Sequence, residues 1–382
     1  MSDNTRHLVE SPERRATYFA RMLKTLCTDL GPHPSGSKEY EQATQIIHAE
    51  MARAVPTVYR DRYLDFWAVV PRPEINHRAR RLTVGVAENC GGTSDAGFKG
   101  IIKRLDVEGV PYGIVDEATG QIAAHISVSS DVGVEPQYLV GDDVLGLPRF
   151  IIGIIDVPYV ELLVENREPV LVRLRVVHAP EVPTYNIIGT IPGQSREEIL
   201  CMAHADSIVL SEGANDNTAT AIITLMLANA FSGSQGRNTL TFLITGSEEY
   251  GCMGAQHYVK RRQAEGTARH LKFIINSDSL TYGPNLWPTT TDPELMQVVR
   301  SIHADLNLST QPIYDEAECW MNDAAPFRGI NPHIRGINFN SRGYDTLAAN
   351  HTADDNAANV PHDCAESSFL VLRELIGRMQ DL

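Results

Sequence analysis

The sequence lacks an apolar run of the length that spans a bilayer, which takes about 20 residues. Its N-terminal stretch, MSDNTRHLVESPERR, also lacks the apolar core of a secretory signal. The 6 cysteines are scattered along the chain, and no CxxC pair of the kind that holds a structural zinc ion occurs. We therefore expect a cytoplasmic protein outside the membrane, with free thiols rather than a disulfide framework.

Basic residues are scarce as well, since 33 Lys and Arg stand against 48 Asp and Glu and leave a net charge of -15. Such a surface repels phosphate backbones, so we expect no nucleic-acid partner. The acidic composition suits a site in which carboxylates hold metal cations. The 382 residues are 43% hydrophobic and 21% charged, which is ordinary for a globular chain and predicts two domains or one large domain with an insertion.

In the first half of the chain, the pattern of apolar residues changes near residue 66. Before it, helical spacing of apolar residues predicts helices over 12–30 and 38–52, separated by a loop at 31–37. After it, short β-rich runs predict a β-rich inserted domain over 66–182. Within that insertion we expect strands at 82–87, 112–116, 150–156 and 170–177 and a helix near 96–107.

From about Tyr185 onward, apolar strand-like runs alternate with helical patterns. The alternation predicts an α/β domain with a mostly parallel sheet and helices on both faces. We assign residues 1–65 and 183–382 to this domain. The predicted strands are 186–193, 199–206, 240–249, 271–278 and 334–339, and the predicted helices are 218–231, 254–263, 293–306 and 368–379.

Metal-ligand residue types follow three of these strands. His204 and Asp206 end the strand at 199–206, Glu248 and Glu249 end the next strand, and Asp278 ends the third. In an open α/β sheet, ligands bind outside the carboxyl ends of the strands. We therefore expect these side chains to meet at one edge of the sheet.

Two more candidates lie in loops: Asp216 in GANDN and His351 in AANHTADDN. Zinc takes nitrogen from His and oxygen from Asp or Glu, and a two-ion site needs a shared carboxylate and further ligands for each ion. Each residue alone has an ordinary explanation, for instance Asp216 as a helix cap. Their arrival at one sheet edge favours a metal site with the ligands His204, Asp216, Glu249, Asp278 and His351.

Two acids remain after the ligands are chosen. Glu248 is placed for the general base that a hydrolase needs, which takes a proton from the attacking water. Asp206 is placed to orient His204, because metal-binding histidines usually donate their other ring proton to a carboxylate.

Six segments together resemble a known family, the co-catalytic zinc exopeptidases that include bacterial leucyl aminopeptidases, glutamate carboxypeptidase II and the non-catalytic transferrin receptor. The resemblance covers residues 31–52 and 186–382. Its segments are NIIGTIPG (186–193), HADS (204–207), GANDN (213–217), GSEEYGCMGAQHYV (246–259), INSDS (275–279) and HTADD (351–355).

The resemblance implies a role for each site residue. Asp216 resembles the carboxylate that bridges two ions, His204 and Asp278 the ligands of one ion, and Glu249 and His351 those of the other. It implies two divalent metal ions, zinc with manganese or cobalt as alternatives. It also implies a phosphorylase/hydrolase-like three-layer α/β sandwich, an insertion similar to a protease-associated domain, and Asp323 and Tyr344 as substrate-binding candidates.

The sequence departs from the family pattern on the substrate side. Thr218-Ala219-Thr220 stands where Ser-Gly is frequent, Asn322-Asp323-Ala324 where Ser-Asp-His is expected, and Asn350 where an aromatic residue is common. All of the family's metal-ligand positions are matched. The resemblance therefore supports the metal chemistry more strongly than it supports any particular substrate.

We expect an aminopeptidase that releases N-terminal residues from a peptide or small amide substrate. One alternative is a cytoplasmic amidohydrolase or deaminase that acts on a small non-peptide substrate with the same metals. Another is a binding protein on an inactive peptidase fold, which the complete ligand set disfavours. Assembly into a homo-oligomer is left open.

Overall fold

The structure is a computed structural model that describes residues 5–65, 73–87, 90–129, 146–176, 182–209, 211–308, 312–342 and 349–382. In these ranges the α-helices are α1 (Pro12–Leu23), α2 (Lys38–Ala54), α3 (Val157–Asn166), α4 (Ala219–Ala230), α5 (Met253–Ala264), α6 (Pro293–Leu306) and α7 (His362–Met379). None of the described helices is both long enough and apolar enough to cross a bilayer.

The strands form two sheets. They are β1 (Thr57–Asp65), β2 (Glu74–His77), β3 (Arg80–Arg81), β4 (Gly85–Val86), β5 (Phe98–Arg104), β6 (Tyr112–Asp116), β7 (Ile122–Val128), β8 (Arg149–Ile152), β9 (Pro169–Arg173), β10 (Val182–Ile191), β11 (Glu198–His204), β12 (Thr239–Thr245), β13 (Leu271–Ser277), β14 (Asn285–Thr289) and β15 (Arg335–Arg342).

The larger sheet has the strand order β1-β10-β12-β11-β13-β15-β14. Its four central strands, β12, β11, β13 and β15, run parallel to one another. The outer strands pair antiparallel, β1 with β10, β10 with β12, and β14 with β15. The sheet is therefore mixed, and the expected mostly parallel arrangement applies to its centre.

Alternation along the central strands supplies two cores. In β12, Phe242 and Ile244 belong to a cluster with α1, α2, α4, α6 and α7, whereas Leu243 packs on the opposite face against Tyr258 of α5. Successive side chains of a strand point to opposite faces, so both faces of an interior strand are apolar. These layers confirm the expected three-layer α/β sandwich.

Helix starts follow local sequence signals. Ser37 precedes α2 and its hydroxyl accepts a hydrogen bond from the backbone N–H of Tyr40 at 2.9 Å. Asp292 caps α6 by accepting from the N–H groups of Glu294 and Leu295, both at 3.0 Å, and Pro293 follows in the first turn. Caps of this kind satisfy backbone donors that a helix leaves unpaired, and each contributes about 1 kcal/mol.

The smaller sheet lies wholly within the predicted insertion, with the order β3-β2-β9-β5-β6-β7-β8-β4. Its core is a separate hydrophobic cluster that includes Ile102, Ile114, Phe150 and Leu163. The chain leaves the larger sheet at the end of β1 and re-enters it at the start of β10. The domain boundaries at 66–182 and the protease-associated character of the insertion stay predictions.

Some predicted elements in the insertion were wrong. The helix expected near 96–107 is strand β5, which pairs with β6 and β9 and in which Gly100 and Ile102 are buried. The run expected as a strand at 150–156 ends at Ile152, and helix α3 begins at Val157.

The six cysteines, all among the described residues, form no disulfide.

Candidate metal centre

Three neighbouring strand ends bring the site together. His204 is the last residue of β11, Asp278 directly follows β13, and Glu248 and Glu249 follow β12 after a two-residue turn. Because β11 lies between β12 and β13 in the sheet, all three ends meet at one edge. The turn after β12 passes through a left-handed residue, Ser247, with φ 55°.

Asp216 lies between the two histidines. Its Oδ1 is 3.3 Å from Nε2 of His204, and its Oδ2 is 3.3 Å from Nε2 of His351. On the first side, His204 Nε2 is also 3.6 Å from Oδ1 of Asp278. On the second side, His351 Nε2 is 3.0 Å from Oε2 of Glu249. One carboxylate thus faces two separate groups of nitrogen and oxygen donors.

The loop that carries Asp216 is held by a buried acid, Asp355. Its Oδ1 accepts hydrogen bonds from the backbone N–H of Asn215 at 2.7 Å and from the side-chain amide of Asn215 at 2.9 Å, and its Oδ2 accepts from the backbone N–H of Asp216 at 3.1 Å. The peptide bond from Asp216 to Asn217 is cis. Gly213 opens the loop with φ 57°, and a Cβ there would lie 2.5 Å from the Cβ of Ser207.

Asp206 contacts both His204 and the segment with Glu248. Nδ1 of His204 is 3.1 Å from the backbone oxygen of Asp206 and 3.5 Å from its Oδ1. The same Oδ1 accepts from the backbone N–H of Glu248 at 3.1 Å. Oε2 of Glu248 lies 3.8 Å from Nε2 of His204, and the thiol of Cys252 donates to its Oε1 at 3.7 Å.

Two asparagines hold ligand-type carboxylates from the cavity side. The amide nitrogen of Asn322 donates to Oδ2 of Asp278, and that of Asn350 donates to Oδ2 of Asp216 at 3.0 Å. The hydroxyl of Ser279 donates to Oδ1 of Asp278 at 3.1 Å.

The crowded carboxylates shift one another's protonation. Burial raises the pKa of Glu248 well above its usual value and that of Glu249 to about 7, with neighbouring acids adding to both effects. Burial opposes ionisation of Asp216 too, but hydrogen bonds and charge from the two histidines lower its pKa overall. Against the effect of burial, Glu249 and Asp216 raise the pKa of His351 to about 12. Carboxylates packed this closely would be stabilised in their ionised form by bound cations.

The donor set fits metal ions. One donor atom each from His204, Asp216 and Asp278, and likewise from Asp216, Glu249 and His351, lie within 4.8 Å of one another. Nε2 of His204 and Oε1 of Glu249 are buried without a hydrogen-bond partner among the described residues. The nearest carboxylate oxygens to that Nε2 stand 3.3 to 3.8 Å away. Imidazole and carboxylate donors in groups of three suit zinc and similar transition metals.

A cavity of about 300 Å³ opens over the candidate ligands Asp216, Glu249, Asp278 and His351 and over Glu248. Asp323 does not line it: this side chain is 1% exposed and its Oδ2 accepts a hydrogen bond from the hydroxyl of Thr245. A substrate contact of Asp323 therefore stays a prediction, and Tyr344 lies outside the described residues.

Sequence reasoning missed the residues that support the ligands. The motif HTADD predicts a ligand at its histidine, whereas its last acid, Asp355, is the acceptor that holds the loop of Asp216. In the sequence, Asn322 and Asn350 are only departures from the family pattern. Acceptor-only carboxylates need donors, so the side-chain amides of Asn322 and Asn350 were a usable but weak signal of this supporting role.

The fold and the site define an α/β protein with a candidate histidine–carboxylate metal centre at the carboxyl edge of its sheet. The chain belongs to peptidase family M28, whose family model matches residues 186–376.

Two solved structures share the fold. A zinc aminopeptidase from Bacillus subtilis aligns with a TM-score of 0.73 at 17% identity, over 95% of each chain. A peptidase M28 precursor from Shewanella amazonensis aligns with a TM-score of 0.75 at 15% identity, over 98% of this chain and 96% of that one.

Among curated proteins, a probable leucine aminopeptidase from Arthroderma benhamiae is 31% identical over 107 residues. That match covers 25% of this chain and 28% of the relative. The alignment thus spans less than a third of the curated relative.

Proposed function

We propose that this protein is a metal-dependent aminopeptidase that uses two divalent ions, zinc in the first instance, with manganese or cobalt as alternatives. The observation that carries the proposal is the position of Asp216 between two donor groups, His204 with Asp278 and Glu249 with His351. Membership of a peptidase family supports a peptide substrate, and two of the three named similar proteins are a zinc aminopeptidase and a probable leucine aminopeptidase.

When bound, the ions would polarise the scissile carbonyl and lower the pKa of the attacking water. Oε2 of Glu248 lies 3.8 Å from Nε2 of His204 at the cavity that the other candidate ligands line, and burial raises the pKa of this carboxyl group well above its usual value. We assign to Glu248 the transfer of a proton from water to the leaving amine. Asp206 holds the ring of His204 and the backbone of Glu248, so it keeps the base and one ligand in register.

The charges around the cavity favour cleavage from the amino end. Its described lining carries four acids, Asp216, Glu248, Glu249 and Asp278, and no lysine or arginine. A substrate with a free carboxylate at the cut end would find no lysine or arginine among these residues to bind it. The family match also disfavours the alternative of a small-molecule amidohydrolase or deaminase.

The test uses the zinc-loaded full chain and two series of amino-acid para-nitroanilides, one with a free amine and one with an acetylated amine. Cleavage of the two series is compared. We expect cleavage only of the free-amine series, starting with the glycyl and alanyl compounds. Cleavage of the acetylated series alone, or release of C-terminal residues from amine-blocked dipeptides, would contradict the proposal.

A further inference from the structure

The part of the cavity lining that is neither a candidate ligand nor Glu248, here called the wall, is unusually polar. Apart from Tyr282, whose hydroxyl donates to Asp355 at 3.4 Å, the described wall consists of hydroxyl, amide and indole side chains and contains no aliphatic one. Its members are Ser279, Trp287, Asn322, Asn340, Ser341 and Asn350. Ligand pockets are mostly apolar with a few placed polar groups, so the balance here is reversed.

Two of the amides present an acceptor to the cavity. Asn322 and Asn350 direct their amide nitrogens to the carboxylates of Asp278 and Asp216. A carboxylate can only accept, which fixes the orientation of each amide and leaves its oxygen for another partner. No described residue donates to either amide oxygen.

Asn340 is the third amide, and its side chain has no hydrogen-bond partner among the described residues. It lies on β15 next to Phe339, whose side chain is 0% exposed in the core on the opposite face. Asn340 is itself half-buried and pairs across the strands with Trp287 of β14. It therefore offers a donor and an acceptor to whatever occupies the cavity.

We propose that this cavity selects N-terminal residues with a neutral amide or hydroxyl side chain, such as asparagine, glutamine or serine; the inference rests on the proposed aminopeptidase function. A leucine side chain would shield the amide of Asn340 from solvent without offering it a hydrogen bond. Burying a polar group without a hydrogen-bond partner costs free energy. A carboxylate or ammonium side chain would meet only neutral groups on this wall. A site built to hydrogen-bond a polar group rejects the analogue that lacks it.

The experiment measures kcat/KM of the zinc-loaded full chain for glycyl, seryl, asparaginyl, glutaminyl, leucyl, aspartyl and lysyl para-nitroanilides. Glycine has no side chain, so the glycyl compound reports amide cleavage independently of the wall. We expect the asparaginyl or glutaminyl compound to exceed the leucyl compound by about tenfold or more.

Two variants assign the preference to the wall. Asn340→Leu should lower the ratio of glutaminyl or asparaginyl to leucyl kcat/KM by about tenfold, and Asn340→Ala, which adds no bulk, should lower it in the same direction. Asn166→Leu makes the same exchange on the exposed face of α3 and should leave the ratio as in the unaltered protein.

The outcomes separate the two proposals. Cleavage of the glycyl compound with leucyl preferred over every neutral polar compound would overturn the wall inference and leave the aminopeptidase function standing. No cleavage of any free-amine compound would overturn both. An unchanged ratio in both Asn340 variants would remove Asn340 as the selecting residue.

Discussion

The carboxylate of Asp355 holds the backbone of Asp216: its Oδ2 accepts the Asp216 N–H at 3.1 Å, while its Oδ1 accepts two bonds from Asn215. Asp355 is 0% exposed. Burial raises its pKa to about 6, although these hydrogen bonds act in the opposite direction. The acid that faces both donor groups is thus positioned by a second acid that touches neither of them.

Replacing that second acid should weaken metal binding without removing a ligand. We expect Asp355→Asn to lower metal affinity by about 10- to 100-fold, because an amide at this position keeps one acceptor and sets its own NH₂ against backbone donors. Competition with a chelator of known affinity measures the change. The control is Asp354→Asn, an exposed neighbour in the same turn. Equal affinities in the two variants would show that Asp355 does not position Asp216.

Glu248 should be separable from metal binding. We expect Glu248→Gln to retain its metal content while kcat falls by about 10²- to 10⁴-fold, since the amide keeps the shape of the side chain but cannot accept the proton. Elemental analysis and steady-state kinetics give the two quantities. Glu265→Gln, an exposed change after α5, should behave as the unaltered protein. Near-normal turnover in Glu248→Gln would exclude Glu248 as the base.

Metal stoichiometry should follow the two donor groups. We expect about two ions per chain, because each group offers three donors and shares Asp216. His351→Ala should reduce the content to about one ion and Asp216→Asn should lower it further. Chelation should lower the unfolding temperature, since a cation that binds only the folded state stabilises it. An unaltered protein that retains one ion at saturating zinc would contradict the shared-carboxylate site.

A histidine far from the site should make stability depend on pH. His303 of α6 is 8% exposed, its Nδ1 lies 3.1 Å from the hydroxyl of Tyr314, and burial lowers its pKa to about 4. The unfolded chain, with an ordinary pKa of about 6.5, binds the proton first as the pH falls. The stability that neutral His303 contributes is present above pH 6.5 and is lost between about 6.5 and 4.

The comparison is between unfolding in urea at pH 7 and at pH 4.5 for the unaltered protein and for His303→Gln. The unaltered protein should lose about 1–3 kcal/mol more than the variant over this range. His333→Gln, at an exposed position, should follow the unaltered protein. Parallel pH profiles for unaltered protein and His303→Gln would contradict the assignment.

The sequence was sufficient to place the strands that carry the ligands. The apolar runs before His204, Glu248 and Asp278 are fully buried strands, and their order predicted one shared edge. The same logic could not give the sheet's edges, because β14 and β15 pair antiparallel through contacts that no local pattern specifies. It also failed at β5, where FKGIIKR has adjacent isoleucines that blur the alternation of a strand.

Support residues were harder to predict than ligands. A pair of acids at 354 and 355 has the composition of a solvated turn, yet one member is exposed and the other is buried against the Asp216 loop. Which of the two turns inward is decided by the fold of residues 213–217, far away in the chain. Asn322 and Asn350 likewise acquire a role only from the carboxylates they meet.

The pairing of β1 with β10 has an engineering consequence. Their antiparallel register runs from Thr57 opposite Thr190 to Asp65 opposite Val182, so the chain departs and returns at neighbouring backbone positions. The entire β-rich unit thus stands where a hairpin would have its turn. The entropic cost of closing such a connection rises only slowly with its length. A short Asn-Gly link between Asp65 and Val182 should therefore excise that unit while the peptidase sheet keeps its pairing, which makes this junction a natural place for grafting foreign modules.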